Sequence, residues 1–340
     1  MKSKKLITRV FTFLMTVILV TVSSTFAVTS NAVSSANENT IGYVRKEAPK
    51  DEAEFVCFDL GTNEEYYYDL YLNGERIDLS EKSTINSPSR SLEISKFDEP
   101  YFPSTLNNES STASPRTVFG NDGRTRVTDT TQHPYEAICY MTTTWLTGGP
   151  GYGTAWMYWD DIAITAAHCV YKSGVGKAVS VELIPGYNFD NNSNGGVGTG
   201  TLNGYVTVTD RVKMHIPNQW IQSEDKEYDY CVLELDTDIG SLTGYFGIYS
   251  TILTLWGTDI TITGYPGEYN GEMWTMSGEV TTSRTRRIYY EIDTTSGQSG
   301  APVYKSNNQV IAIHAYSGST ENSGTRITND LYDYFHSFRD

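Results

Sequence analysis

Positive charge is what this 340-residue chain has least of: 25 Lys and Arg stand against 41 Asp and Glu, a formal net charge of −16. Nucleic acid and anionic membrane surfaces both reward clustered positive charge, so neither is expected as a partner. Cysteine is scarce too. Four residues are too few for a disulfide scaffold, and none falls in a CxxC spacing that would suggest zinc. Long apolar runs are missing beyond the one from Val10 to Val22, which is short of the roughly 20 residues a membrane span needs. No internal repeat of fixed period is visible. Hydrophobic content of 39%, with 13% aromatic, still supports a packed core and excludes a wholly disordered chain. What is plentiful, 29 Gly and 25 Tyr, favours β structure joined by turns over helical bundles.

The single apolar run follows Lys2, Lys4, Lys5 and Arg9 and precedes small residues, the order of a secretory signal peptide. Residues 1–36 are assigned to it, with cleavage between Ala27 and Ala36, so the remainder is expected to be secreted and extracellular, with no membrane contact after that cleavage. Residues 37–116 form an acidic stretch with 8 basic and 16 acidic side chains and a patch at Tyr66, Tyr67 and Tyr68. It runs into a Ser/Pro/Asn-rich segment, Ser83 to Pro115, which reads as a linker because such sequence buries too little surface to offset its ordering entropy. Beyond Thr117 come short alternating runs separated by turn residues: Val179 to Ile184, Gly204 to Val208, Tyr230 to Leu235, Ile260 to Thr263, Arg287 to Ile292 and Gln309 to His314. This is the texture of an all-β sandwich or barrel. The end differs. Ile327, Leu331, Tyr334, Phe335 and Phe338 recur at helical spacing, with Thr328 or Asn329 available as a cap.

Three segments carry the chemistry. Ile164-Thr165-Ala166-Ala167-His168-Cys169 ends a strand-like run in small residues before a histidine. Tyr228-Asp229-Tyr230-Cys231-Val232-Leu233 sets a lone acid at the start of a buried strand, and Thr295-Ser296-Gly297-Gln298-Ser299-Gly300-Ala301-Pro302 sets a serine between glycines. A serine hydroxyl needs a neutral imidazole to take its proton, and a buried carboxylate fixes that imidazole's tautomer. Glycine beside the nucleophile lets the N–H groups of Gly297 and Ser299 converge on a developing oxyanion. Each signal alone is weak. Together they fall in the order His168, Asp229, Ser299 with gaps of 61 and 70 residues, the order of double-barrel serine peptidases rather than of α/β-hydrolases or subtilisins.

At these residues the chain resembles the glutamyl endopeptidases, the V8-like and specifically Bacillus-type branch of the chymotrypsin-like serine peptidases. Further matched blocks are Gly123-Arg124-Thr125-Arg126-Val127, Pro185-Gly186-Tyr187-Asn188, Ile216-Pro217-Asn218-Gln219-Trp220, Gly264-Tyr265-Pro266-Gly267 and Gly324-Thr325-Arg326-Ile327. The resemblance covers Thr117 to Phe338 and implies an all-β, chymotrypsin-like fold: two six-stranded barrels with the catalytic groups between them and a short C-terminal α-helix, preceded by a signal peptide and propeptide. The peptidase domain is then 117–340. The implied function is a secreted serine endopeptidase that cuts after Glu, less well after Asp, through an acyl-enzyme. It would act on proteins or peptides as a monomer, with no cofactor and no metal.

The same resemblance places P1 recognition on His314, at the end of Val310-Ile311-Ala312-Ile313-His314, and on the hydroxyl of Thr294. A carboxylate entering a partly dry pocket needs such donors. It also implies cleavage after Arg116, within Pro115-Arg116-Thr117-Val118-Phe119-Gly120, so that a new amine at Thr117 binds the P1 carboxylate and the uncut chain is latent. His133, His215 and His336 match no catalytic motif. Two departures stand out. Gly153-Thr154-Ala155-Trp156 lacks a cysteine that Bacillus-type members carry, so Cys169 has no family partner, and Cys139 is considered in its place; Ser296 occupies a position that is often glycine. From Thr117 onward 13 basic side chains face 25 acidic ones, so local donors rather than the overall field must hold an acidic P1 residue.

Overall fold

The structure, a computed structural model, describes residues 42–79, 93–103, 122–189, 198–199, 211–318 and 320–339. The signal-peptide segment, the Arg116–Thr117 junction and the Gly204 to Val208 run lie outside them. Among the described residues no helix is long and apolar enough to cross a membrane.

Three strands come first: β1 (Tyr43–Glu47), β2 (Phe55–Asp59) and β3 (Glu64–Leu72). Two short ones follow, β4 (Ser95–Phe97) and β5 (Thr125–Arg126). Next are β6 (Ile138–Trp145), β7 (Gly151–Met157), β8 (Ile162–Thr165), β9 (Gly176–Pro185), β10 (Lys213–Pro217) and β11 (Cys231–Glu234). The remainder are β12 (Gly247–Thr251), β13 (Asp259–Gly264), β14 (Trp274–Ser283), β15 (Arg287–Tyr290), β16 (Pro302–Tyr304), β17 (Gln309–Tyr316) and β18 (Asn322–Arg326). The C-terminal helix α1 spans Asn329–His336, and Thr328 caps it by accepting the Leu331 N–H at 3.2 Å. The expected helix and cap are therefore present.

Strands β13-β14-β15-β18-β17-β16 form a ring, closed because β16 pairs both β17 and β13. Alternation along β15 explains its closure over a core: Ile288 and Tyr290 point inward with Ile262, Val280, Val303 and Ile311. The earlier six strands, β10-β11-β8-β7-β6-β9, make a sheet that does not close on itself among the described residues. One closed barrel is therefore present among the described residues, and the expected Gly204 to Val208 strand of the other lies outside them. The free edge of β10 is taken by β2 instead, in the register Lys213↔Asp59, His215↔Cys57 and Pro217↔Phe55. An edge strand presents unpaired N–H and C=O groups, and β2 satisfies them.

The segment before residue 104 is thus more ordered than its composition suggests. The β2–β3 hairpin turns on Asp59, whose Oδ1 accepts the N–H groups of Gly61 (2.8 Å) and Thr62 (3.1 Å). Phe55 stacks on Tyr334 of α1 at 4.0 Å between ring centroids, and the Arg45 guanidinium lies over Phe338. Within the stretch read as a linker, β4 pairs antiparallel with β12 and Lys96 contacts Asp333 at 2.6 Å. Asp98 accepts the hydroxyls of Tyr158 and Tyr332 at 2.7 Å each and pairs with Arg339 at 2.9 Å. The few apolar and charged residues between the serines suffice to dock it. The linker reading fails for residues 93–103.

His215 on β10 is buried beneath β2 and β3. Glu234 can only accept, so Nε2–H donates to it (3.2 Å) and the Tyr68 hydroxyl donates to Nδ1 (2.9 Å). Burial, outweighing Glu234, pulls the imidazole's pKa down to about 4 from an ordinary 6.5. A depressed histidine stabilises the fold while it is neutral, and that contribution is lost as pH falls from 6.5 toward 4. The stability advantage of the wild type over His215→Gln should therefore shrink by about 3 kcal/mol across that window. Chemical denaturation of both proteins at several pH values measures it, and a constant difference would contradict the assignment.

Candidate active site

Strand pairing brings two of the three sequence-distant residues together. Strands β8 and β11 run antiparallel with Thr165 opposite Cys231. His168, three residues beyond Thr165, and Asp229, two before Cys231, therefore emerge at the same end of the pair. Ala166 and Ala167 are fully buried, leaving room for the 3-10 turn Ala167–Cys169 that carries the imidazole. Asp229 follows a second 3-10 turn, Lys226–Tyr228, capped by the Asp225 side chain. Its carboxylate makes a two-point contact, accepting His168 N–H at 2.9 Å and facing His168 Nδ1 at 2.7 Å. Nδ1 must carry hydrogen toward that oxygen, which leaves Nε2 as the acceptor.

Asp229 is completely buried, whereas the His168 side chain is 26% exposed. Burial alone would raise the carboxyl and lower the imidazole; the mutual charge and hydrogen bond win in both cases. Asp229 is held below the usual carboxylate range and His168 well above 6.5. Tyr316 flanks the imidazole, its ring centroid 5.7 Å away.

Ser299 sits in the loop between β15 and β16. That loop is pinned on both sides: Gly300 N–H donates to His314 O (2.7 Å), and Ser299 O accepts from Thr154 N–H (2.8 Å). The same Ser299 carbonyl lies 3.7 Å from Cys169 Sγ, beside His168. Gly297 (φ +99°) and Gly300 (φ +89°) both occupy left-handed backbone. A Cβ at 300 would strike the Thr154 carbonyl and Thr165 hydroxyl, so glycine is required there. Among the described residues the N–H groups of Gly297 and Ser299 donate to no protein acceptor, and Ser299 Oγ is not hydrogen-bonded to His168. Two N–H groups without a protein acceptor beside the hydroxyl are what an oxyanion site needs.

Beyond Ser299, His314 is buried on β17. Its Nδ1 lies 2.7 Å from the Tyr290 hydroxyl. Burial, then the positive charges of His168 and Arg287, push its pKa down to about 3, so it is neutral. Tyr290 is held protonated by burial, so its hydroxyl donates to Nδ1 and Nε2–H is left as an uncommitted donor. The Thr294 hydroxyl is 3.3 Å from that of Ser317. Tyr290 and Ser317 were not singled out from sequence, although alternation along the Arg287 to Ile292 run already turns Tyr290 inward. Thr117 lies outside the described residues. The Cys139–Cys169 pairing does not occur: all four cysteines are free thiols.

A histidine and buried aspartate joined in this way, with a glycine-flanked serine on an adjoining loop, define a trypsin-like serine peptidase. The sequence profile of the trypsin-like peptidase domain matches residues 153–313. A glutamyl endopeptidase of Bacillus licheniformis is 37% identical over 231 residues, covering 64% of this chain and 67% of that protein. An extracellular metalloprotease of Bacillus subtilis is 32% identical over 229 residues, covering 65% and 69%. A solved structure of a Glu endopeptidase in complex with MPD superposes with a TM-score of 0.54 at 31% identity, covering 66% of this chain and 99% of that one. The chain is a serine endopeptidase of the glutamyl endopeptidase family.

The two-point contact should govern His168 titration. In NMR titrations the imidazole should lose its proton above pH 6.5 in the wild type and at clearly lower pH in Asp229→Asn. Equal midpoints in the two proteins would contradict the coupling.

Proposed function

We propose that this protein is a secreted endopeptidase that cleaves after Glu, and less well after Asp, with Ser299 as nucleophile. The Oγ attacks the scissile carbonyl carbon while His168 Nε2 takes the hydroxyl proton. The carbonyl oxygen becomes an oxyanion held by the N–H groups of Gly297 and Ser299. His168 then returns the proton to the departing amine as the C–N bond breaks. Water deacylates the serine by the same steps in reverse, and Asp229 keeps Nδ1 protonated and stabilises the imidazolium throughout.

The observation that supports the Glu preference is neutral His314, anchored at Nδ1 by the Tyr290 hydroxyl so that Nε2–H is left to donate; the Thr294 hydroxyl, paired with that of Ser317, is assigned to the same pocket. These are neutral donors, so a cation is still needed for full charge compensation. Residues 1–36 as signal peptide and 37–116 as propeptide supply one: cleavage after Arg116 frees the Thr117 amine. Gly123 N–H donates to Asp293 at 2.8 Å, which lays the chain along the segment bearing Thr294. Five Cα–Cα steps lead from Thr117 to Asp122, a reach of up to about 17 Å. The mature enzyme, 117–340, then acts extracellularly on protein or peptide substrates as a monomer, without nucleic acid, membrane or cofactor.

Cleavage of a denatured protein by the processed enzyme, mapped by mass spectrometry, tests both parts. Cuts should fall predominantly after Glu, and Ser299→Ala should lower kcat by about 10⁴-fold or more and abolish fluorophosphonate labelling. A cut set not dominated by Glu would refute the specificity, and retained labelling in the variant would refute the nucleophile.

A further inference from the structure

Gln298, between the two proposed oxyanion N–H donors, is buried to within 1% of complete, and its side-chain oxygen accepts twice. One donor is local, the Thr295 N–H at 3.0 Å. The other comes from far away in sequence: Arg124 Nη1, at 2.9 Å. That guanidinium has every nitrogen engaged. Nη1 also reaches the Thr295 hydroxyl (2.9 Å), Nε and Nη2 grip Asp122 (2.9 and 2.8 Å), and Nη2 contacts Glu268 at 2.6 Å. Glu268 closes the circuit by accepting from the Thr295 hydroxyl at 2.6–2.8 Å. The adjoining Gly267 N–H donates to Ser296 O at 2.7 Å.

The consequence is geometric. The peptide units on either side of residue 298 carry the loop's amides, and the direction of the Ser299 N–H follows from how residue 298 is held. Gln298 N–H donates to Thr295 O and its carbonyl accepts from Ala301 N–H, so backbone bonds close the turn; Thr154 holds the carbonyls of Gly297 and Ser299 on either side, and the side chain ties residue 298 itself to Arg124. A planar guanidinium presents donors in a fixed fork, and here two carboxylates hold that fork still while Nη1 meets the amide oxygen. We propose that Arg124 is a positioning residue for the oxyanion loop, acting through Gln298 to aim the Gly297 and Ser299 N–H groups. Asp122, Glu268 and the pairing of Thr125–Arg126 with Trp274 and Thr275 hold Arg124 in place. The N-terminal strand of the peptidase region is thereby wired to the transition-state site. Arg124 acts on turnover rather than on P1 recognition, because it touches no group assigned to the P1 carboxylate. This inference rests on Ser299 being the nucleophile.

The test uses the processed enzyme and the variants Arg124→Ala, Gln298→Met and their combination. Each single variant should lose about 30- to 100-fold in kcat with KM within about 3-fold, and the P1 preference should be unchanged. The double variant should be no slower than the worse single, since one brace is cut twice. Gln298→Met keeps the volume and leaves Arg124 its bonds to Asp122, Glu268 and the Thr295 hydroxyl, so no buried charge loses all its partners and the variant is expected to fold even where Arg124→Ala unfolds. A kcat within 3-fold of wild type in folded Gln298→Met, or additive losses in the double variant, would overturn the brace. Ser299→Ala assayed alongside reports on the nucleophile separately: total loss there, with wild-type turnover in Gln298→Met, overturns the brace alone.

Discussion

The pairing of Thr165 with Cys231 is the constraint on which the site depends. It sets the ends of two buried strands side by side and so commits His168 and Asp229 to a contact that neither local sequence encodes. The contact is tight because Asp229 is fully buried: a carboxylate removed from water must be compensated by hydrogen bonds, and His168 offers both its backbone N–H and its ring. The serine loop is then held by Thr154 of β7 and His314 of β17, where a side chain at 300 would collide with the β7 backbone and the Thr165 hydroxyl of β8. Catalytic geometry and core packing are here one problem. The residues that leave no space for a Cβ are those that fix where the hydroxyl is carried.

Two histidines near Ser299 sit in opposite electrostatic environments. His168 is pushed toward the protonated form by the carboxylate behind it, and His314 toward the neutral form by burial and the cations around it. Environments that separate two histidines in this way suit them to different tasks, one to exchange protons and one to donate a fixed hydrogen bond. The segment before residue 104 belongs to the same economy of burial. It covers the edge of β10, seals His215 and binds α1 through Phe55 and Lys96 and the residues just after it through Arg45. Removing it would expose a strand edge and an aromatic face together, a combination that invites association unless something replaces it.

Much of this was legible in the chain. The residues proposed for catalysis stand out because three weak signals occur in one characteristic order, and the C-terminal helix because its apolar spacing and Thr328 cap are local features. The docking of residues 42–103 was not, since polar composition argued for a linker while the decisive terms, β2 on β10 and Lys96 on Asp333, are long-range pairings. For the same reason the pairing of β2 with β10 could not be read in advance: which strand takes that edge is a competition between partners, which periodicity does not rank. Arg124 lay in a matched block with no reason to single it out, and its partner Gln298 lies 174 residues away. Tyr290 could have been found, because the strand alternation that was recognised already places it inside.

The account turns on whether the free N–H groups beside Ser299 receive the developing charge that His168 and Asp229 help to create. A crystal structure of the processed enzyme phosphonylated on Ser299 is the most direct measurement. The account predicts the phosphoryl oxygen within about 3 Å of both the Gly297 and Ser299 nitrogens, with His168 Nε2 turned to the leaving-group side. An adduct whose oxygen points away from those two nitrogens, or a phosphonyl group carried on any other residue, would contradict it.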